Sequence, residues 1–247
     1  MALLWRHQRG DVIYEVRSAG HSLRLYTNGV LHSQANSRRG FSGGVWDLLA
    51  LPALFRAPGS IRRVLLLGVG GGGVIAALRQ YAAPERIIGV DIDPVHLMVA
   101  EEFFRIRGPD LQLVHDDAVS WLAGYRGAPF DMIVEDLCGA GRGGARRSVA
   151  ADSEWFGRLR DRLGTGGLLV MNFLGRDGLR ASAYLRDKRV SASYACAYQL
   201  TTTYYDNRVA ACLTHQSTPR ELRRNLRRMP GVRSPVRFRV SALNGPR

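Results

Sequence analysis

The sequence predicts an α/β protein with a mostly parallel sheet, helices on both faces and an antiparallel edge, preceded by a small β unit. The first observation is the run VLLLGVGGGG at 64–73, where an apolar strand pattern passes directly into glycines. The second is the alternation of near-continuously apolar strands with helical patterns from residue 63 onward, which is typical of a parallel sheet covered on both faces. The third is a pair of strand patterns joined by the turn signal Thr27-Asn28-Gly29.

The chain before the glycines predicts a small antiparallel unit. Its strand patterns cover Val12–Val16, Leu23–Tyr26 and Val30–His32. A short helix is expected over Val45–Phe55, although it contains Pro52. We therefore divide the chain into an N-terminal β unit, residues 1–40, and a larger α/β domain, residues 41–247.

The larger part predicts strands and helices in turn. The five expected sheet strands are Val64–Leu67, Arg86–Val90, Leu111–His115, Phe130–Val134 and Gly167–Asn172. The expected helices between them are Val74–Tyr81, Pro94–Arg107, Ala118–Gly124 and Asp152–Leu163, with a glycine- and arginine-rich loop before the last. Three later strand patterns would form the antiparallel edge: Ser191–Gln199, Arg208–Leu213 and Val236–Val240. A basic helix over Pro219–Arg228 would be capped by Thr218.

The ends of the parallel strands carry the residues that need a functional explanation, because ligands of open α/β sheets bind there. Gly68, Gly70 and Gly73 match G-x-G-x-x-G after a strand and before a helix. Asp91 ends the next strand, where a carboxylate can accept hydrogen bonds from ribose hydroxyls. Nicotinamide dinucleotides and S-adenosyl compounds both fit this arrangement, and the first of them would place a pyrophosphate at the helix N-terminus.

The third strand end favours the S-adenosyl class. Asp117 follows that strand and is placed to accept a hydrogen bond from the amino group of an adenine, with the small Ala118 beside it. A dinucleotide site does not require an acid at this point. We expect S-adenosylmethionine or its decarboxylated form as the donor, with NAD as the alternative.

The motifs also occur in a known order. The segments VLLLGVGGGG, IIGVDIDP, LVHDDAVSWL and FDMIVEDL resemble the spermidine synthase family of aminopropyltransferases, which has the fold of Rossmann-like methyltransferases. The segment LYTNGVLH at 25–32 is similar to the strand-turn-strand that precedes this fold in the family. The resemblance places Asp136 at the family's catalytic aspartate. Its neighbour Glu135 is expected to face away, since successive strand residues alternate sides.

The resemblance implies roles for the donor residues and a homodimeric assembly. The donor's tail would lie along Gly68, Gly70 and Gly71, its ribose on Asp91, and its adenine on Asp117 and Ala118.

The acceptor side departs from the family pattern. Gly139 and Ala140 stand where the family usually has a second aspartate and a proline, and His32 stands in place of a glutamine. The loop also carries Arg142, Arg146 and Arg147, although a polyamine needs carboxylates for its ammonium groups. The residues expected at the acceptor side are Trp46, Asp47, Asn172 and Tyr205.

These patterns predict a spermidine synthase-like transferase whose polyamine site is eroded. Asp136 would orient an amine and accept its proton. The alternatives are an S-adenosylmethionine-dependent methyltransferase with a non-polyamine acceptor, and a non-catalytic protein that binds a nucleoside or a nucleic acid.

Composition bounds the partners. Residues 191–247 carry ten basic and two acidic residues, so much of the formal charge of +14 lies at this end of the chain. A solvated basic face is the favoured interpretation, and a nucleic-acid partner the less favoured one. The three cysteines lack metal-ligand spacing, so we expect no metal, and a reduced cytoplasmic protein. No apolar run has the length of a membrane span.

Overall fold

The chain folds around one large sheet and one small sheet. A computed structural model describes residues 1–36, 43–141, 144–229 and 237–246. The large sheet has eight strands, which lie in the order β14 (Arg239–Ala242), β12 (Cys196–Thr201), β13 (Arg208–Leu213), β11 (Leu163–Phe173), β8 (Phe130–Glu135), β5 (Arg63–Leu67), β6 (Arg86–Asp91) and β7 (Leu111–His115). Neighbours from β11 to β7 run parallel, whereas β13, β12 and β14 add an antiparallel edge. The predicted fold class is confirmed.

The N-terminal part forms a four-stranded antiparallel sheet. Its strands are β1 Ala2–Arg9, β2 Val12–Ala19, β3 Ser22–Thr27 and β4 Val30–Asn36. The turn between β3 and β4 has positive φ at Asn28 (48°) and Gly29 (76°), which explains why these two residue types stand there. Strand β1 was not predicted, because its residues ALLWRHQR lack the regular alternation of apolar and polar side chains that marks a strand.

The parallel part follows the predicted alternation closely. Its strands are β5 Arg63–Leu67, β6 Arg86–Asp91, β7 Leu111–His115, β8 Phe130–Glu135 and β11 Leu163–Phe173. Its helices are α1 Val45–Ala50, α2 Gly73–Tyr81, α3 Pro94–Glu102, α4 Ala118–Gly124 and α5 Ser153–Arg160. A 3-10 helix over Leu51–Phe55 continues α1, since Pro52 has no amide hydrogen to donate.

Two helices end earlier than predicted. The chain leaves α3 after Glu102, and Arg105 adopts a left-handed φ of 55° that turns Phe104 and Ile106 into the core. Helix α5 ends at Arg160 because Leu163 already pairs with Phe130 of β8.

Two short strands lie within the glycine- and arginine-rich segment that was expected to be a loop. Strands β9 Cys138–Gly141 and β10 Gly144–Arg147 form a two-stranded antiparallel ribbon. Arg142, which the sequence analysis placed in this segment, lies outside the described residues.

The C-terminal part corrects one strand and confirms another. Short helices α6 Gly175–Arg180, α7 Ala183–Arg186 and α8 Lys188–Ala192 precede β12 Cys196–Thr201, so the first half of the expected strand Ser191–Gln199 is wrong. The Asp187 side chain accepts a hydrogen bond from the Arg189 amide and starts α8. Strand β13 Arg208–Leu213 and helix α9 Pro219–Arg228, capped by Thr218, are as predicted. The last strand, β14 Arg239–Ala242, begins later than expected, and Val236 lies outside the described residues.

The small sheet shares a hydrophobic core with the large one. Tyr14, Val16 and Leu25 belong to the same buried cluster as Leu48 and Leu66. The N-terminal sheet is therefore docked on the larger part through apolar contacts. The division at residues 40 and 41 stays a prediction, since both residues lie outside the described part of the chain.

Candidate active site

The glycine loop after β5 is where the two sheets meet. Gly68 has a φ of +88°, and a side chain there would collide with the backbone carbonyl of Asp136. A Cβ on Gly70, whose φ is +54°, would lie 2.9 Å from the carbonyl oxygen of His32 in β4. Glycine is therefore needed at both positions, because the loop must bend and other backbones pass close to it.

The next glycines face protein rather than the cavity. A Cβ on Gly71 would lie 2.9 Å from the Phe104 ring and 3.0 Å from the Ser33 side chain, and Gly71 does not line the cavity. The Gly73 amide donates to the Ser33 hydroxyl at 2.9 Å. The missing side chain of Gly71 makes room for the packing of β4 and Phe104, and the assignment of Gly71 to the donor's tail stays a prediction.

Asp91 ties the end of β6 to the glycine loop. Its Oδ2 accepts hydrogen bonds from the amides of Val69 (2.8 Å) and Gly70 (2.9 Å), and its Oδ1 accepts one from the amide of Asp93 (2.9 Å). Burial alone would raise the pKa of Asp91, but the neighbouring His96 and these amides lower it below its usual value. Asp91 is thus charged, and one lone pair of Oδ1 remains for a ligand.

A cluster of buried polar side chains supports this carboxylate. His96 lies 3.8 Å from Asp91 through Nδ1, and its Nε2 is 2.8 Å from the Thr27 hydroxyl. Tyr14 donates to Asp93 at 2.8 Å. Burial lowers the pKa of His96, but the carboxylate of Asp91 outweighs it and raises that pKa above its ordinary value. The cluster fixes Asp91 and links it to the N-terminal sheet.

His32 contributes a buried ring nitrogen to the cavity wall, and its ring lies 5.0 Å from that of His96. Its Nε2 is buried and makes no hydrogen bond with any described residue. Burial, together with the nearby His96, lowers the pKa of His32 to about 4, so that the ring is neutral at neutral pH. A neutral imidazole can donate or accept a hydrogen bond from a ligand.

The third strand end contributes Asp117 and Ala118 to the cavity. Asp117 is the N-cap of α4, and its Oδ1 accepts a hydrogen bond from the Ser120 amide at 2.9 Å. The second oxygen has no hydrogen bond among the described residues.

Asp136 follows β8 and faces the same cavity. Asn172, near the end of β11, donates to its Oδ1 at 2.8 Å, and Asn207 donates in turn to the Asn172 side-chain oxygen at 3.0 Å. Burial raises the pKa of Asp136 to about 6 against the lowering effect of the Asn172 hydrogen bond. Such a carboxylate is suited to take up and release a proton near neutral pH.

Glu135 points to the other side of the sheet, as the alternation predicted. It is completely buried and forms two hydrogen bonds with Arg147, at 2.7 and 2.9 Å. Arg147 also donates to the Asn172 carbonyl oxygen and lies over the Phe173 ring. This pair anchors the ribbon β9–β10, and it neutralises an arginine that the sequence analysis counted against a cationic acceptor.

The remaining predicted acceptor residues divide in two. Trp46 and Tyr205 line the cavity with their rings in an edge-to-face contact, 6.3 Å apart, and Trp46 donates to the His32 carbonyl at 3.2 Å. Asp47 does not line the cavity, and its role at the acceptor side stays a prediction. It is buried at the start of α1, where it accepts hydrogen bonds from the Gly44 amide and the Tyr81 hydroxyl.

The cavity has a volume of about 520 Å³ and unites most of the predicted site. It is lined by nine predicted residues: Trp46, Gly68, Gly70, Asp91, Asp117, Ala118, Asp136, Asn172 and Tyr205. The sequence analysis missed several others, including Tyr14, Asp93, His96, Val149 and Asn207. Of these, His96 carried a signal, because it follows Asp91-Ile92-Asp93 by one helical turn.

The side-chain clusters and helices of the described residues bear on metal binding and on membrane crossing. No group of three or more His, Cys, Asp or Glu side chains among them could hold a metal ion. No helix formed by these residues combines the length and apolar character that crossing a bilayer requires.

Comparisons with known proteins agree with the fold. The family described as a methyltransferase domain matches residues 64–146. Polyamine aminopropyltransferase 2 of Caldanaerobacter subterraneus subsp. tengcongensis is 29% identical over 168 residues, 67% of this chain and 53% of that protein. An eEF1A lysine and N-terminal methyltransferase homolog of Drosophila melanogaster is 27% identical over 144 residues, 56% of this chain and 21% of that protein.

A solved structure extends the likeness to nearly the whole chain. The crystal structure of a probable spermidine synthase from Corynebacterium glutamicum matches with a TM-score of 0.74 and 17% identity, over 98% of this chain and 91% of that one. The fold and the family match define a class, the Rossmann-like methyltransferase fold. Within that class the chain is similar in sequence to a polyamine aminopropyltransferase and in fold to a probable spermidine synthase. It spans about half the length of the polyamine aminopropyltransferase that it matches.

Proposed function

We propose that the protein transfers an aminopropyl or methyl group from an S-adenosyl donor to an amine acceptor. The observation that carries this proposal is Asp136: a carboxylate with a pKa raised to about 6 faces the same cavity as the glycine loop and Asp91. The proposed nucleoside-binding residues and a group able to accept a proton thus line the same cavity. The relatives named as aminopropyltransferases and methyltransferases support the same reaction class.

The chain's own residues supply positioning and proton transfer. Asp91 would accept a hydrogen bond from the ribose through its remaining Oδ1 lone pair, and the neutral His32 is available for a second hydroxyl. Asp117, whose second oxygen is free of described partners, would accept the adenine amino group. The sulfonium of the donor makes its neighbouring carbon electrophilic, so the protein needs to align the attacking amine and remove a proton.

Asp136 is the proposed base. The amine nitrogen would form a bond to the carbon beside sulfur, the carbon–sulfur bond would break, and sulfur would leave as a neutral thioether. The proton released from nitrogen would pass to the Asp136 carboxylate. Asn172, held by Asn207, keeps that carboxylate in place.

The polyamine site is proposed to be eroded. No carboxylate stands at Gly139, and Asp47 lies outside the cavity. This supports the second candidate, a methyltransferase with a non-polyamine acceptor, which the matched methyltransferase family also favours. A non-catalytic binding protein remains the third candidate, supported by the exposed arginines of α9.

Ligand-dependent stability tests the donor site. Methylthioadenosine, S-adenosylmethionine and its decarboxylated form are to be compared with NAD by thermal unfolding and calorimetry. At a ligand concentration of 100 times Kd we expect stabilisation of about 2.7 kcal/mol. Asp91→Ala should abolish most of it, whereas Asp116→Ala, a matched change of an exposed neighbour that does not line the cavity, should not. Stabilisation by NAD and by none of the sulfur nucleosides would refute the proposed donor.

A further inference from the structure

We propose that the acceptor is a monoamine, a primary or secondary amine whose remaining substituent is uncharged and largely apolar. The inference rests on the proposed function and names the substrate class of the same site. It follows from a count of charges around the cavity and from the side chains that surround Asp136.

Among the described residues, the carboxylates that line the cavity are Asp91, Asp93, Asp117 and Asp136. The first two hold the protein's own structure, and the one lone pair that Asp91 keeps is assigned to the ribose of the donor. Asp91 accepts three backbone amides and faces His96, and Asp93 accepts the Tyr14 hydroxyl and the Val95 amide. They hold the glycine loop and α3 in place, so neither is available to an acceptor's cation.

The other two carboxylates lie at the ends of different strands. Asp117 caps α4 after β7, which is separated from β8 by the two strands β5 and β6 of the sheet. Asp136 follows β8 directly and is joined to Asn172 of β11. One carboxylate therefore serves the part of the cavity between β8, β11 and the ribbon. A single carboxylate matches a single ammonium group.

The wall beside Asp136 is apolar or neutral. Its aliphatic side chains are Leu137, Val149 and Leu174, with Gly139 and Ala145 contributing no functional group. The polar groups there are those of Cys138, Ser148, Asn172, Tyr205 and Asn207. Burial raises the pKa of the Cys138 thiol, so it is neutral.

The nearby carboxylate of Glu135 cannot replace the missing one. It is completely buried on the other side of the strand, and both of its oxygens accept hydrogen bonds from Arg147. A second ammonium group at this wall would lose its hydration without gaining a counter-ion, whereas a methyl group in its place would gain from burial. The wall thus selects against a diamine and favours an amine with an apolar tail.

The transfer step itself is unchanged by the identity of the tail. The amine nitrogen attacks the carbon beside the sulfonium, a carbon–nitrogen bond replaces the carbon–sulfur bond, and the sulfur keeps the electron pair. The proton lost by nitrogen goes to Asp136. The products are the alkylated amine and a neutral thioether nucleoside.

The test compares 1-aminopentane with putrescine, which have the same number of heavy atoms and differ in a terminal methyl or ammonium group. Both are titrated calorimetrically into the intact protein saturated with methylthioadenosine or S-adenosylhomocysteine, whichever binds. We expect 1-aminopentane to bind on the order of a hundredfold more tightly than putrescine, because only putrescine must bury an unpaired charge. Incubation with each donor and mass spectrometry should show the alkylated monoamine as the larger product.

A matched pair of variants checks the cause. Ser148 is exposed and lines the cavity, so Ser148→Asp adds a carboxylate there with little cost to folding, and Ser148→Asn adds the same shape without charge. The aspartate variant should move the preference at least tenfold toward putrescine, and the asparagine variant should not. Equal or tighter binding of putrescine by the unmodified protein would overturn the inference, as would binding of neither amine. If no sulfur nucleoside binds in the first place, the proposed function fails instead.

Discussion

Replacing the proposed base should make the protein more stable at neutral pH while removing its activity. Asp136→Asn keeps the acceptor for the Asn172 hydrogen bond but removes the charge. The pKa of Asp136 is raised from 3.8 to about 6, so in this range the folded state binds more protons than the unfolded state. Stability from this group is therefore present at acid pH and declines as pH rises through about 4 to 6.

The magnitude follows from the size of the shift. About two pKa units correspond to about 3 kcal/mol above pH 6. Asp136 is half-buried and its free surface faces the solvent of the cavity, which lowers our expectation to about 2 kcal/mol. For a chain of this size that gain amounts to a rise in Tm of about 4–8 °C.

The assay is urea unfolding of both proteins at pH 8 and at pH 4. At pH 8 the asparagine variant should be the more stable one by the full amount. At pH 4 the difference should shrink to about 0.5 kcal/mol, because the wild-type carboxyl is then neutral in the folded state and only about half ionised in the unfolded state. An equal gain in the free energy of unfolding at the two pH values, or a loss at pH 8, would show that burial does not destabilise the charged form of Asp136. Undiminished transfer by the variant would remove Asp136 as the base.

Two further predictions concern the ribbon and the assembly. Arg147→Met leaves the buried carboxylate of Glu135 without its partner, and we expect the free energy of unfolding in urea to fall by about 3–5 kcal/mol. Glu135→Leu combined with Arg147→Met should recover most of that loss. A double variant no more stable than the single one would contradict a purely electrostatic cause. We also propose a homodimer, supported by the edge strand β1, whose Leu3 and Leu4 are each 52% exposed; light scattering should give twice the chain mass, and Leu3→Arg should lower it, whereas a monomer at high concentration would refute the dimer.

The parallel core was predictable because each of its signals is local. The apolar runs before Gly68 and Asp91 give buried strands, and Pro94 and Asp117 mark helix starts through caps that involve near neighbours in sequence. That the strand-end acids lie close together follows from topology alone, since the carboxyl ends of parallel strands meet at one edge of the sheet.

The missed features depend on contacts between distant residues. Tyr14 reaches the site only because β2 docks against α3, which no local pattern encodes. The resemblance assigned Gly71 to the donor's tail, and the sequence gives no indication that Phe104 and Ser33 would pack beside it. Arg147 was counted as a free cation, since the buried Glu135 that neutralises it lies 12 residues earlier in the chain.

The contact of the glycine loop with β4 determines when this molecule becomes competent to bind. Gly70 and Gly73 touch His32, Ser33 and Gln34, so the backbone that borders the cavity takes its final shape only when two segments nearly forty residues apart have met. A chain whose first sheet has not yet docked lacks both a wall of the cavity and the support for its floor. A nucleoside bound at the proposed site would therefore stabilise only those molecules in which the two sheets have already docked.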